Sequence, residues 1–471
     1  MIVDLNPYAE YKASDQAWIG MIPAHWSVLP NRAIFSEVKD RNHPDEEMLS
    51  VTITKGIIRQ KALLAGSSKK DSSNLNKSAY KLVCPQDIAY NKMQAWQGAI
   101  GVSDYRGIVS PAYVVVRLRE EHNPRYFHHL YRTSHFAKEA ERWSYGITSD
   151  MWSLRPEHFK MIYTPLPSAD EQAAIVRFLD HAKRRIDRFI RAKKKVIALL
   201  NEQKQAIIHS AVTRGLDPNV KLKPSGITWL GDIPAHWEVR QLRRLSKKIK
   251  TGGTPTGAEA RFFEEGGFNW YTPADFKDSI MLGYASRQLS EQGVEAVINF
   301  PINTILMIGI GATIGKVSIS NKPCSCNQQI NAILPNFKLI CPEYLVYYLR
   351  ILRNYILKCG KFTTMPIINQ DETKRLPALL PPINEQSVIA VHIEKEIKPF
   401  TDSIARTERE IALMQEYRTR LIADVVTGKL DVREAAKKLP DEAAESDIID
   451  EDEISAVDEE ITNCMNGEGG E

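Results

Sequence analysis

The sequence has few cysteines and lacks a long apolar run. Six cysteines in 471 residues are too few for a disulfide scaffold, and no paired CxxC spacing or nearby histidine pattern indicates zinc. No stretch of about 18 apolar residues is present, which argues against a membrane span. The first residues lack the basic and apolar regions of a secretory signal. We therefore expect a cytoplasmic protein in a reducing compartment, without a metal site.

Motifs of catalysis are also lacking. Residues 309–316, GIGATIGK, fit neither the Walker A spacing nor the dinucleotide fingerprint, and a turn between two strands is the better interpretation. We find no carboxylate cluster typical of nucleases and no nucleophile beside a base. His25 and His236 each stand between Ala and Trp, and we interpret both as structural. The sequence thus predicts a chain that is not an enzyme and binds no cofactor itself.

Charge is unevenly distributed along the chain. It holds 62 basic and 58 acidic residues, and residues 433–471 contain 14 of the acidic residues but only 3 basic ones. The tail therefore has a net charge of −11, which leaves +15 on residues 1–432. A body this basic can attract a polyanion such as DNA, although lysine-rich surfaces can also serve solubility alone.

The chain contains an internal repeat. WIGMIPAHW at residues 18–26 recurs as WLGDIPAHW at residues 229–237, with seven of nine positions identical. LPSADEQ at residues 166–172 aligns with LPPINEQ at residues 380–386, and that offset continues for about 50 residues. Residues 27–165 and 238–379 show no such alignment. We infer two tandem units that share one task and differ in their targets.

Each repeat leads into a long helical segment. Residues 171–212 contain neither Pro nor Gly, and a helix of that length spans about 60 Å. Its apolar residues follow a heptad seam interrupted at two positions. The seam consists of Ile175, Leu179, Ala182, Ile186, Phe189, Lys193, Val196, Leu200, Gln203 and Ile207.

The second segment, residues 385–426, is also helical, but Pro399 predicts a kink or a break. We expect the two helices to pair as a coiled coil. The alternative is that each packs only on its own module.

The module interiors read as α+β. Residues 112–118 and 304–308 are β-rich, whereas residues 126–131 and 343–349 have helical character. Segments rich in polar, aromatic and glycine residues are candidate DNA contacts, because Asn, Gln and Lys can bind base edges and hydroxyls suit phosphates. Each segment could equally be a solvated turn. The candidate residues are Asn91, Lys92, Gln94, Trp96, Gln97, Arg106, Tyr145, Thr148, Ser149, Lys250, Thr251, Thr254, Asn269, Tyr271, Thr272, Lys316, Asn327, Gln328, Lys361, Thr363 and Thr364.

In combination, these motifs resemble those of the specificity subunit of type I restriction–modification enzymes. The resemblance covers residues 10–432 and rests on the two repeated entries and on the helix exits VTRG (212–215) and VTGK (426–429). The second module adds KTGGTP (250–255), YTPAD (271–275), GATIGK (311–316) and Asn327-Gln328. The first module keeps only GAIG (98–101) and IVSPAY (108–113), so its target should differ.

The resemblance implies an α+β fold with two target-recognition domains, each reading one half of a split DNA site. It implies that the long helices pair antiparallel, set the spacing and dock two modification (methyltransferase) subunits. Restriction (translocase/nuclease) subunits join to cut, and S-adenosylmethionine, ATP and magnesium bind those partners. The expected domains are residues 1–165, helix 166–219, residues 220–379, helix 380–432 and a disordered acidic tail, 433–471. A protein-binding scaffold and a self-contained nucleic-acid enzyme remain as alternatives.

Overall fold

The computed structural model describes residues 5–64, 77–146, 152–256, 260–359, 361–362 and 366–440. The chain divides into two units. Unit 1 contains residues 1–192 and 409–447, and unit 2 contains residues 193–408 and 448–471. Two long helices, α6 (Ala169–Arg214) and α12 (Ile383–Val426), contribute to both units.

Unit 1 contains an antiparallel four-stranded sheet of order β4-β11-β8-β9, together with four strand pairs, β1-β2, β3-β12, β5-β6 and β7-β10. The strands are β1 (Tyr11–Ala13), β2 (Met21–Pro23), β3 (Ser27–Pro30), β4 (Phe35–Val38), β5 (Leu49–Thr52), β6 (Gly56–Arg59), β7 (Lys81–Val83), β8 (Ile88–Asn91), β9 (Ile100–Val102), β10 (Gly107–Val109), β11 (Tyr113–Leu118) and β12 (Tyr163–Leu166). The helices are α1 (Asn31–Ile34), α2 (Gln60–Leu64), α3 (Pro124–Tyr131), α4 (Ser134–Arg142) and α5 (Pro156–Met161). The apolar centre of β11 is buried between β4 and β8, as a central strand requires.

Unit 2 contains a mixed five-stranded sheet, β16-β23-β20-β21-β18, and a three-stranded sheet, β19-β17-β22. The strands are β13 (Leu222–Pro224), β14 (Asp232–Pro234), β15 (Glu238–Gln241), β16 (Ser246–Thr251), β17 (Phe263–Tyr271), β18 (Met281–Leu282), β19 (Arg287–Leu289), β20 (Ile305–Ile308), β21 (Val317–Ser320), β22 (Cys324–Cys326), β23 (Ile330–Pro335), β24 (Lys361–Phe362), β25 (Pro366–Ile367) and β26 (Pro377–Leu380). The helices are α7 (Leu242–Leu245), α8 (Glu291–Glu295), α9 (Pro342–Ile351), α10 (Arg353–Cys359) and α11 (Gln370–Arg375). The predicted turn at residues 309–316 connects the antiparallel strands β20 and β21.

The two long helices pack together within each unit. In unit 1, Asp187 of α6 pairs with Arg418 of α12, and Leu179 shares a core with Val425. In unit 2, the end of α6 at Ile208 shares a core with Ile389, near the start of α12. The start of one helix therefore lies beside the end of the other in both units. This arrangement confirms the expected antiparallel pairing.

The buried stripe of α6 departs from the predicted heptad seam. Phe189 and Val196 are 39% and 43% exposed, whereas the next residues, Ile190 and Ile197, are 7% and 1% exposed. The helix buries Ile at positions 175, 186, 197 and 208, a step of 11 residues. That step corresponds to about 3.67 residues per turn, whereas a strict heptad repeat drifts by about 20° per heptad from a straight helix. The predicted seam therefore holds at Ile175, Leu179 and Ile186 and is wrong at Phe189 and Val196.

Pro399 does not break α12, which continues from Ile383 to Val426. Proline removes one backbone hydrogen bond, to the carbonyl four residues earlier. The buried side chains of Ile393 and Ile404, on either side of the proline, still pack into the protein. Packing on both sides of Pro399 keeps the helix continuous. The sequence predicted a kink or a break, and the break is ruled out.

The repeated sequence motifs form equivalent joints between module and helices. In unit 1, Glu171 at the start of α6 accepts hydrogen bonds from His25 Nε2 at 2.9 Å and from Tyr8 Oη at 2.7 Å. In unit 2, Glu385 of α12 accepts hydrogen bonds from His236 Nε2 at 2.8 Å and Trp237 Nε1 at 3.0 Å. Both histidines thus have the predicted structural role.

Each module also contacts the end of the other long helix. Tyr126 of α3 donates a hydrogen bond to the carbonyl of Val426, where α12 ends, at 3.2 Å. Tyr344 of α9 donates to the carbonyl of Val212, near the end of α6, at 3.4 Å. Both tyrosines are fully buried. The same framework therefore holds two modules whose interiors differ.

The ordered chain extends past the predicted start of the acidic tail. Helix α13 (Arg433–Lys437) buries Ala435 and Ala436 in the core of unit 1. Arg177 of α6 donates a hydrogen bond to the carbonyl of Leu439 at 2.8 Å. Apolar residues in this segment explain the order, because they bury surface against unit 1. Residues 441–471 lie outside the described part of the chain.

Candidate nucleic-acid interface

Several connections of unit 2 converge around the loop that follows β16. Gly253 N donates to the carbonyl of Cys326 at 2.8 Å, and Trp270 Nε1 donates to the carbonyl of Gly253 at 3.0 Å. Thr254 Oγ1 donates to Gln328 Oε1 at 2.6 Å, which joins this loop to the segment after β22. The structure therefore brings together candidate residues that lie more than 70 positions apart in the sequence.

Gly252 is essential to this close approach. A Cβ atom at this position would lie 2.2 Å from the carbonyl oxygen of Cys326 and 2.5 Å from that of Asn327. At the neighbouring Gly253, a Cβ atom would meet nothing within 4 Å. The first glycine of the pair thus allows the loop to pack on the β22 connection, and the second does not have this role.

Three of the predicted contact residues in unit 2 are buried. Asn269 is 4% exposed and accepts a hydrogen bond from Ala285 N at 3.1 Å. Tyr271 is 0% exposed and donates to the carbonyl of Gly283 at 2.7 Å, and burial raises its pKa to about 12. Asn327 is 8% exposed and donates to Gln329 Oε1 at 2.9 Å. These side chains support the loops, in place of the base contacts that their residue types suggest.

The remaining candidates of unit 2 lie around the same loops. Lys250, Thr254 and Gln328 are exposed. Thr251 is half-buried, and its Oγ1 donates to Asn331 Oδ1 at 2.8 Å. Thr272 precedes the short 3-10 turn Pro273–Asp275, and its N and Oγ1 donate to Asp275 Oδ2 at 2.7 and 2.9 Å.

Two further candidates belong to neighbouring connections. Lys316 is half-buried in the β20–β21 connection, and Gly309 of that connection donates to the carbonyl of Gln329 at 2.7 Å. Lys361 pairs with Ile367 in the β24–β25 hairpin, which contacts the same connection through an Ile310–Ile367 bridge. Thr363 and Thr364 lie outside the described residues.

In unit 1, most candidates lie in the turn after β8. Asn91 builds this turn, because its Oδ1 accepts from Met93 N at 3.1 Å and its Nδ2 donates to Gln94 Oε1 at 2.9 Å. Trp96 and Gln97 follow in the 3-10 turn Ala95–Gln97. The Lys92 carbonyl accepts from Leu154 N at 2.9 Å, close to the Tyr145–Ser153 bridge. The turn thus lies near exposed Tyr145.

The remaining candidates of unit 1 are Arg106, Thr148 and Ser149. Arg106 forms an ion pair with Glu46, with its Nε at 2.7 Å from Oε1, so its guanidinium already has a carboxylate partner. Thr148 and Ser149 lie outside the described residues. The structure therefore joins the turn after β8 with Tyr145, whereas Arg106 is bound to Glu46.

A group of basic residues in unit 1 escaped the sequence reasoning. Burial lowers the pKa of Lys81, and the neighbouring cations Lys92, Arg41 and Lys39 lower it further, against the opposite effect of Glu37. Lys39 and Arg41 are exposed. In the sequence, Lys39 and Arg41 are visible only as two basic residues within three positions. That spacing does not predict that they lie near Lys81 and Lys92. This group adds positive potential to the surface that contains the turn after β8.

Comparison with known proteins finds a family match that covers most of the second unit. Residues 234–413 match the family described as type I restriction modification DNA specificity domain. The match covers these residues and not the whole chain. They include most of unit 2 and α12 as far as residue 413, and therefore the converging loops at Gly252–Thr254 and Asn327-Gln328.

Specificity subunits are similar to nearly the whole chain. A protein of Methanocaldococcus jannaschii assigned as the type I restriction enzyme MjaX specificity subunit is 23% identical over 92% of this chain and 100% of the relative. The type I restriction enzyme StySPI specificity subunit of Salmonella potsdam is 22% identical over 82% of this chain and 85% of the relative. These similarities confirm the predicted resemblance and the predicted role as a DNA-specificity subunit, which is a non-catalytic component.

A solved structure supports the fold. It comes from work titled as the structural basis underlying complex assembly and conformational transition of the type I R-M system. Its TM-score is 0.63 at 16% identity, and the similarity covers 87% of this chain and 99% of the solved one. The α+β fold with two long paired helices is therefore confirmed.

The described part of the chain contains neither a membrane-spanning helix nor a cluster of metal-binding side chains. None of its helices combines the length and apolar character that crossing a bilayer requires. No group of three or more His, Cys, Asp or Glu side chains in these ranges is arranged to hold a metal ion.

Proposed function

We propose that the specificity subunit reads a split, asymmetric DNA site, with one half-site bound by each module. The observation that carries this proposal is the pair of equivalent joints. Glu171 with His25 and Glu385 with His236 attach two modules to the same helical framework. The joints to the helices are repeated, whereas the loops of the two modules differ. This is expected if the two modules bind different DNA sequences.

The second module supplies a suitable reading surface. Lys250, Thr254 and Gln328 are exposed on connections that converge. Amides can bind base edges, and lysine and hydroxyl groups can bind phosphates. In the first module, the turn after β8 with Lys92 and Gln94 is the equivalent candidate. The net charge of +15 on residues 1–432 favours association with DNA.

The long helices set the spacing between the half-sites. Buried polar contacts anchor the modules to α6 and α12. The register of the two helices therefore fixes the position of each module along them. We propose that the helices also dock two modification (methyltransferase) subunits. Restriction (translocase/nuclease) subunits would then complete the assembly, with S-adenosylmethionine, ATP and magnesium on these partners. Because its ligand is DNA, we propose that the complex acts in the cytoplasm.

A footprint of the assembled complex on its DNA tests this function. We expect two short protected blocks separated by a gap, because each module covers only its own half-site. A single continuous block would contradict the proposal. Binding should also weaken steeply as salt increases, because phosphate contacts release counterions. Partner binding without salt-sensitive DNA affinity would favour the scaffold alternative.

Turnover of DNA by the purified chain alone tests the remaining alternative. The chain is incubated with magnesium, ATP and S-adenosylmethionine in the absence of other subunits. We expect neither methylation nor cleavage, because the specificity subunit only recognises DNA. Activity under these conditions would instead identify a self-contained enzyme.

A further inference from the structure

An exposed arginine of unit 2 is held against two aromatic rings. Arg287 lies on β19, and its Cζ is 3.8 Å from the ring centroid of Phe263 and 5.1 Å from that of Trp270. Trp270 is its register partner on β17, and the two rings are 5.5 Å apart. Attraction between a guanidinium and aromatic faces restricts the conformations of the arginine side chain. The N–H groups at the edge of the guanidinium plane still remain accessible to a ligand.

The two rings connect Arg287 to the candidate DNA-contact loops. Trp270 Nε1 donates to the carbonyl of Gly253 at 3.0 Å, next to the Thr254–Gln328 hydrogen bond. Arg287 thus lies one aromatic side chain away from the loop that Gly252 positions.

Arg287 also lacks a carboxylate partner within the described part of the chain. No Asp or Glu there forms an ion pair with it, whereas Arg106 in unit 1 is bound to Glu46. An exposed guanidinium that forms no ion pair within the described ranges keeps its donors available for a ligand. Exposure, fixed orientation and available donors occur together at this one side chain.

We propose, resting on the proposed function, that Arg287 reads a guanine in the half-site of the second module. Its planar guanidinium donates two hydrogen bonds, to O6 and N7 of guanine in the major groove. Arginine is suited to this bidentate contact, and guanine is its commonest specific base partner. The stacking on Phe263 and Trp270 fixes the plane of the fork before DNA binds, which lowers the entropy lost on binding.

Two other roles for Arg287, phosphate binding and packing alone, have different consequences from guanine recognition. An arginine that contacts only a phosphate strengthens binding to every sequence alike. An arginine that only packs on its rings affects folding without altering base preference. Base reading alone changes the preference at one position of one half-site.

The test measures base preference with the full chain assembled with its modification subunits. A library of DNA duplexes is selected for binding and sequenced for wild type, Arg287→Ala and Arg287→Lys. We expect both variants to lose preference for guanine at one position by about tenfold to one-hundredfold. Every other position of both half-sites should remain unchanged. Lysine retains the charge but cannot form the planar bidentate contact.

Arg240→Ala serves as the matched control. It removes the same charge from an exposed strand of unit 2, β15, outside the sheet that contains Arg287. Retained guanine preference in Arg287→Lys, with unchanged or uniformly weaker binding, would overturn the proposal. If wild type itself selects no bipartite site, the proposed function fails, which is a separate result. Should Arg287→Ala fail to fold, Arg287→Lys still decides, because it keeps the packing stem.

Discussion

The buried stripe of α6 makes a prediction that separates two adjacent residues. Ile197 is 1% exposed and Val196 is 43% exposed, although the heptad pattern assigns the seam to Val196. We expect Ile197→Ala to destabilise unit 2 and Val196→Ala to be nearly neutral. The pair is a matched test, because both changes truncate a β-branched residue to alanine within one turn of the same helix.

The magnitudes follow from burial and helix propensity. Ile197→Ala removes three buried carbons, worth about 2.4 kcal/mol at ~0.8 each, and the cavity left behind adds to this loss. The better helix propensity of alanine returns about 0.4 kcal/mol, so we expect a net loss of about 2 to 4 kcal/mol. Val196→Ala removes two half-exposed carbons, about 0.8 kcal/mol, which helix propensity offsets by about 0.6 kcal/mol.

Urea unfolding followed by circular dichroism at 222 nm measures the difference. Because the two units need not unfold together, the comparison uses the shift of each variant from wild type in the same transition. Ile197→Val provides a milder third variant, with an expected loss of about 0.5 to 1.5 kcal/mol. A larger loss for Val196→Ala than for Ile197→Ala would refute the 11-residue stripe and restore the heptad seam.

Four further predictions concern the interface and the joints. Gly252→Ala should weaken DNA binding, because the new Cβ would collide with the Cys326 carbonyl, whereas Gly253→Ala should bind as wild type; equal binding by both would contradict the role of Gly252. Tyr271→Phe should lose about 1 kcal/mol of stability without altering the recognised bases, so a changed base preference would show that this buried residue reads DNA. Ultraviolet titration should also show Tyr271 ionising near pH 12, and its contribution to stability, complete below pH 10, should decline as the pH rises from 10 toward 12; ionisation near 10 would contradict its burial. Tyr8→Phe should destabilise unit 1 by about 1.5 to 3 kcal/mol in thermal unfolding, because buried Glu171 loses a donor, whereas the exposed control Tyr145→Phe should have little effect; similar losses for both would rule out the joint as the cause.

Repetition made the framework predictable from the sequence. Two copies of the same entry motif before two long segments without glycine indicated a duplicated unit and two helices, and both helices are present. Their pairing followed because each has an apolar stripe too long to be covered by a small module. The conserved spacing within the chain also identified His25 and His236 as structural, and each bonds to the glutamate at its helix start.

The register of the helices was beyond sequence reasoning. A 3.5-residue and a 3.67-residue repeat coincide over the first turns and diverge by one position at Phe189. At Pro399, local propensity predicted a kink or a break, but packing of Ile393 and Ile404 keeps the helix continuous. In both cases tertiary contacts decided the outcome: which residues of α6 are buried, and whether α12 continues through Pro399. The local sequence pattern alone did not separate these alternatives.

The sequence predicted segments that the structure brings together in unit 2, but it could not show which of their side chains are exposed. Asn269 and Tyr271 have the residue types that bind DNA, yet the three-stranded sheet buries both. Arg287 was missed because its aromatic neighbours, Phe263 and Trp270, come close only through the strand register. Exposure and cross-strand pairing depend on the fold, so composition alone cannot assign them.

The central claim is that each module reads its own half-site on a common helical framework. Replacing residues 27–165 with the corresponding module of another specificity subunit, then sequencing the modified bases in DNA treated with the full complex, tests it most directly. We predict that one half-site changes while the other half-site and the gap length remain as in wild type. A change in both half-sites, or modification within one uninterrupted sequence, would contradict the claim.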